Sequence, residues 1–69
     1  MPLSMLSMGE TRAISRITGN DETKHHLANL GFVEGADVTV VTKNNGNLIV
    51  SVKETRVAID RSMANRILV

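Results

Sequence analysis

The sequence predicts a small, mainly β domain: a five-stranded barrel with one short α-helix and a short C-terminal helical turn. Three observations lead there. Alternating, β-branched segments recur at short intervals, Asp37-Val38-Thr39-Val40-Val41-Thr42 and Leu48-Ile49-Val50-Ser51-Val52 being the clearest. Asn44-Asn45-Gly46-Asn47 lies between those two, and Asn-Gly between strand patterns is the strongest short hairpin signal. Only the segment from Asn20 to Leu30 carries helical patterning of useful length. Closing the strands into a barrel would remove the edges that a free sheet of this size leaves exposed.

The elements follow in order. Leu3-Ser4-Met5-Leu6-Ser7-Met8 reads as one helical turn over the core, ended by Gly9. Met5, Met8 and Met63 are read as core fillers rather than partner contacts, because flexible thioethers suit gaps. Glu10 to Thr18 is β-branched and reads as a strand stopped by Gly19-Asn20. Ile14 and Ile17 stand three apart in it, which strict alternation would put on opposite faces, so a bulge or bend is expected between them.

Asn20-Asp21-Glu22 is a helix start, a capping side chain followed by acids at the positive end of the helix dipole. The helix runs to about Leu30 and buries Leu27 and Leu30, with Thr23 a turn earlier on the same face. Gly31 sits where the chain needs a left-handed residue to leave the helix. In that geometry the side chain of Phe32 folds back against Leu27. Val33-Glu34-Gly35-Ala36 turns into the Asp37 strand, and after the hairpin Leu48, Val50 and Val52 share one face. Lys53-Glu54-Thr55 turns into a strand at Arg56-Val57-Ala58-Ile59. Asp60 then caps a short helical turn from Arg61 to Arg66, and Ile67-Leu68-Val69 closes the fold.

The chain has 69 residues and reads as a single domain, 1–69. A chain this short buries only about 60% of its unfolded surface and seldom has more than about 3–5 kcal/mol of net stability. With 42% hydrophobic and 22% charged residues it has a globular balance, which excludes disorder. No apolar run approaches the ~18–20 residues of a bilayer-spanning helix. Met1-Pro2-Leu3-Ser4-Met5 lacks the charged start and long apolar stretch of a signal peptide, so the expected compartment is the cytoplasm. The absence of cysteine excludes disulfide staples, thiolate zinc sites, iron–sulfur clusters and cysteine nucleophiles together, and fits the same compartment. Formal net charge is +1, the basic residues are scattered singly, and Phe32 is the only aromatic. Nucleic-acid binders concentrate positive charge on one face and add stacking platforms, so nucleic acid is not expected as a partner.

His25-His26 is the one hint of metal. Adjacent helical residues point about 100° apart, so the pair does not grip one ion, and a two-histidine set on a helix wants a spacing of three or four. Asp21 and Glu22 stand nearby, but their place at the helix start already has a capping reason. No metal or other cofactor is expected. None of the serines has a nucleophile elbow around it, and the five glycines stand alone rather than in a phosphate-cradling cluster. The barrel is also too small to enclose a drug-sized pocket beside its core, so no enzyme activity is expected.

The order of residues resembles a known family. Leu27-x-x-Leu30-Gly31-Phe32-x-x-Gly35-x-x-Val38-x-Val40 is similar to the heart of FeoA domains. Leu3-x-x-Leu6-x-x-Gly9 and Ile14-x-x-Ile17-x-Gly19 fit the family's opening, and Ala58-Ile59 with Ala64-x-x-Ile67-x-Val69 fits its ending. The likeness covers nearly the whole chain. There are departures: Glu34 stands for the usual proline before Gly35, Asp60 for an arginine and Met63 for a glutamate, and the hairpin at Asn45-Gly46-Asn47-Leu48 lacks the common proline.

The resemblance implies an SH3-like barrel that serves ferrous-iron uptake by binding the cytoplasmic side of FeoB, a membrane transporter with a GTPase domain. Proline-rich ligands of SH3 folds need an aromatic-lined groove, which a single phenylalanine does not provide, so the implied partner is a folded surface. Lys24, His25 and Asn29 on the outer helix face, with Glu34 in the loop beyond, are the expected contact residues. Two other readings stand beside this one: a FeoA-like module attached to a metal-dependent transcriptional regulator, and an unrelated barrel that binds RNA or ribosomes. The chain's own start methionine and its lack of DNA-binding helices favour the stand-alone accessory protein. Oligomeric state is not readable from the residues.

Overall fold

The structure, a computed structural model, describes residues 1–69. The stretch from Glu10 to Thr18 forms two strands, β1 (Thr11–Ala13) and β2 (Arg16–Ile17), instead of one bent strand. The break falls where the isoleucine spacing predicts it. Ile14 donates its amide to Ala36 O at 2.9 Å, whereas Ser15 donates to Leu68 O at 2.8 Å. The chain thus changes sheets between adjacent residues, which lets Ile14 be buried while Ile17 packs part-buried on the same core.

Beyond it come α1 (Asp21–Asn29), β3 (Asp37–Asn44), β4 (Asn47–Val52), β5 (Thr55–Asp60), α2 (Arg61–Ala64) and β6 (Ile67–Leu68). β1, β3, β4 and β5 make a four-stranded antiparallel sheet in that order, and β2 pairs with β6 in a separate two-stranded sheet. The expected strand count of five becomes six, and the two sheets are not laddered into one closed barrel. The core fills the space they bound.

The core register follows from alternation. Val38 pairs with Val52 and Val40 with Val50, and Leu48 pairs with Ile59. All six are buried. A bulge between Val40 and Thr42 leaves Val41 as the extra residue, pushed to the exposed side. The hairpin turn is Asn45-Gly46, with φ of 37° and 92°; positive φ at both central residues is what a two-residue turn between twisted strands requires. Lys53-Glu54 makes the second hairpin in the same way, with φ of 48° and 63° and no glycine.

The N-terminal segment corrects an expectation. Leu3–Met5 is a 3-10 turn, and Leu3 and Leu6 are both fully buried. A 3-10 turn repeats every three residues, so a turn that buries Leu3 and leads into buried Leu6 points Met5 away, and Met8 falls in the separate turn that follows. Met5 is 66% and Met8 62% exposed, so neither fills the core; Met63 alone of the three packs against it. The chain ends meet, with Val69 N donating to Met1 O at 2.7 Å beside a Pro2–Leu68 bridge. All thirteen buried residues are apolar, so no polar group needs a partner inside.

Candidate docking surface

Local signals at both ends hold α1 in place. Asn20 Oδ1 accepts the amide of Thr23 at 2.8 Å, and Asp21 and Glu22 occupy the first turn, where the free amides favour negative charge. At the other end Gly31 N donates to Ala28 O and Phe32 N to Leu27 O, each at 3.0 Å, with Gly31 at φ 105°. This pair of bonds is a Schellman stop, and Leu27 and Phe32 are both buried in the core beneath it. Leu27 is the one fully buried residue of the helix and Leu30 is only part-buried, so α1 is a surface helix rather than a buried one. The following turn is clipped down by Gly35 N to Ile14 O at 2.7 Å and Ala36 N to Val33 O at 3.1 Å, with Gly35 at φ 88°.

Lys24, His25 and Asn29 are all exposed, and so is Glu34 on the turn. His25 and Asn29 lie one helical turn apart on the face opposite Leu27, with Lys24 on its flank. The only ion pair in the chain joins Arg12 to Glu10, at 3.5 Å, so the charges of Lys24 and Glu34 are not neutralised by a neighbour. No such bond links Glu34 to the helix. His26 is also exposed, and no three His, Asp or Glu side chains converge to hold a metal ion.

One carboxylate is perturbed. Glu10 Oε1 accepts the amide of Ser7 at 2.8 Å, and that bond, with Arg12 beside it, holds the Glu10 carboxyl below the ordinary carboxylate value.

Sequence reasoning missed two surface clefts, of about 280 and 340 Å³. The smaller is polar and lies where the 3-10 turn, the β3–β4 hairpin and the start of α2 meet. The larger lies over β3, β4 and β5, with Ile49, Ala58 and Ile59 in its lining. Both are open to solvent. Their residues come from separate parts of the chain, and no local pattern marks them.

The FeoA domain model matches residues 1–69, the full chain. This chain belongs to the FeoA family. Among curated relatives, a protein of Methanocaldococcus jannaschii provisionally named Fe(2+) transport protein A is 29% identical over 68 residues, covering 99% of this chain and 83% of that protein. Among solved structures, the crystal structure of an iron uptake regulatory protein, FeoA, has a TM-score of 0.91 at 28% identity, covering 97% of this chain and 91% of the other. FeoA of Stenotrophomonas maltophilia, solved with zinc and described as an SH3-domain protein, has a TM-score of 0.86 at 32% identity, covering 99% of this chain and 87% of that one. A manganese-dependent transcriptional repressor shares the fold at a TM-score of 0.89 and 18% identity; the likeness covers 97% of this chain but only 39% of the repressor. The SH3-like fold class that the resemblance implied is therefore the right one, in a form with two separate sheets. No helix is long and apolar enough to cross a membrane.

Proposed function

We propose that this FeoA-family chain is a non-enzymatic, cytoplasmic accessory protein of ferrous-iron uptake that docks onto a FeoB-like membrane GTPase transporter. The observation that carries the reading is the family match over the whole chain, 1–69. The contact surface is the outer face of α1 with the turn after it. Lys24, His25, Asn29 and Glu34 are exposed there on backbone that is capped at one end and locked by the Schellman stop at the other. A rigid, polar patch of this size suits transient binding at the small end of interfaces, with affinity set by a few residues.

Titration of the transporter's cytoplasmic domain with wild type and with a Lys24→Glu/His25→Glu/Asn29→Ala variant tests the surface. The expected result is a loss of about tenfold or more in affinity, with the variant's melting curve preserved. Folded variant protein that binds like wild type moves the interface to another face. Wild-type protein that does not bind the full-length transporter removes the assignment itself.

The repressor likeness supports a second reading, an interaction module of a metal-dependent regulator, since the same fold makes up part of that longer chain. Gene neighbourhood separates the two: a large GTPase-transporter frame beside this gene favours uptake, and a repressor frame favours regulation.

A further inference from the structure

The smaller cleft collects two cations that no carboxylate in the fold neutralises. Lys43, at the end of β3, and Arg61, which opens α2, both line it, and neither lies within ion-pair distance of a carboxylate. Lys43 Nζ donates to Ser4 O at 2.9 Å, one of three donors on that ammonium, which fixes its position and leaves two donors free. The Arg61 side chain makes no hydrogen bond within the chain, while its amide donates to Gly46 O at 2.7 Å and ties α2 to the hairpin tip. Asn45 and Asn47 add amide groups to the wall. No acidic residue lines the cleft. The nearest acid in sequence, Asp60, accepts the amide of Met63 at 2.8 Å as the cap of α2.

We propose that this cleft is an oxyanion site that takes a phosphoryl group. Three properties favour that ligand. The guanidinium and ammonium belong to residues of different elements that line one cleft, an arrangement suited to an anion with several oxygens. Two like charges share one cleft with no counter-charge, and an anion removes their repulsion. The volume of about 280 Å³ leaves room for more than one phosphoryl group, so the site suits a phosphate-bearing small molecule or a lipid headgroup. The inference does not rest on the transporter reading. α1 and Glu34 contribute nothing to the lining of this cleft.

Titration of the full-length chain with inorganic phosphate, followed by amide NMR shifts at constant ionic strength, tests the site. The expected result is saturable shifts confined to Lys43 through Leu48 and Arg61, with little response to acetate. Lys43→Gln/Arg61→Gln should weaken binding by about tenfold or more while its thermal melt stays close to wild type. Arg16→Gln/Arg56→Gln removes the same charge outside the cleft and should leave binding unchanged. If Lys43→Gln disturbs folding by losing the Ser4 contact, Arg61→Gln alone carries the test. Co-sedimentation with phosphatidylcholine vesicles containing phosphatidic acid forms the second arm. Binding to vesicles but not to free phosphate, lost in the cleft variant, supports the site with a lipid as its phosphate source. Absence of binding in both arms, equal response to acetate, or equal loss in the control variant overturns the proposal.

Discussion

The backbone amide of Phe32 donates to the carbonyl oxygen of Leu27 at 3.0 Å, and the side chains of the same two residues are buried in one core. A single local motif therefore ends the helix and also anchors it to the sheets. Gly31 makes this possible by standing at φ 105° between them. The exposed residues of α1 inherit their positions from that anchor, because little else of the helix is buried.

Gly31→Val should destabilise the protein by about 1–2 kcal/mol, because a branched residue is strained at positive φ. A Cβ placed there would meet Val52 Cγ1 at 3.5 Å, an ordinary contact, so at the Cβ the loss comes from the backbone. Thermal melts should show a midpoint about 4–8 °C lower per kcal/mol. Gly31→Asn should lose less, since asparagine tolerates the left-handed region. An unchanged midpoint for the valine variant would mean that the Schellman geometry does not form in solution.

The second hairpin offers the opposite experiment. Glu54 sits at φ 63° with an ordinary side chain, next to Lys53 at φ 48°. Glu54→Gly should stabilise the protein by about 0.5–1 kcal/mol, the relief of left-handed strain less the glycine's extra chain entropy. Glu54→Ala keeps the strain and should show no gain. Lys53 is better left in place, because its stem lies near Gly31. Urea melts of the three proteins decide the matter, and equal midpoints would show that the turn carries no strain.

Glu10 gives the fold a pH dependence with a definite sign. Its folded carboxyl lies below the ordinary value because the Ser7 amide and Arg12 favour the ionised form. A depressed carboxylate contributes stability that is complete above the unfolded value and is lost as pH falls through the folded one. Wild type should therefore lose stability in the acid range faster than Glu10→Gln. Parallel stability curves for the two proteins between neutral and acid pH would show that Ser7 and Arg12 do not act on Glu10 this way.

Ferrous iron should not bind tightly to the free protein. The chain has no cysteine, and His25 and His26 are adjacent and meet no third ligand. Anaerobic calorimetry with Fe²⁺ should show no saturable stoichiometric site. One such site, abolished by His25→Ala or His26→Ala, would overturn this expectation and move the function toward direct metal handling.

Much of the fold was legible because its decisive signals are local. Asn20 and Asp60 cap their helices by accepting amides three residues on, a relation confined to one turn of chain. The Asn45-Gly46 turn and the Leu48, Val50, Val52 face follow from short-range patterning in the same way. The candidate surface was legible in part: burying Leu27 turns His25 and Asn29, each two residues away, outward by helical geometry. Lys24, three residues before Leu27 and so on its side of the helix, is exposed only because the core stops short of it. Glu34 was legible as exposed, but its turn is held by Ile14, twenty residues earlier, which no local pattern announces.

The amino-acid sequence by itself determined the helix with both its stops, the two hairpins, the alternation that fills the core, and the family resemblance spread along the chain. Tertiary structure alone decided three things. The break at Ile14-Ser15 became a change of sheet because Ala36 and Leu68 accept adjacent amides, and only the packed fold places both carbonyls there. Met5 went to the surface because burying Leu3 and Leu6 set the phase of a 3-10 turn, and Met8 because it falls in the exposed turn beyond, whereas composition says only that methionine can fill gaps. Lys43 and Arg61 came to share a cleft because the hairpin tip and the start of α2 are bonded to each other. Local periodicity fixes which face of an element is apolar; which distant elements meet is set by long-range backbone pairing and core packing.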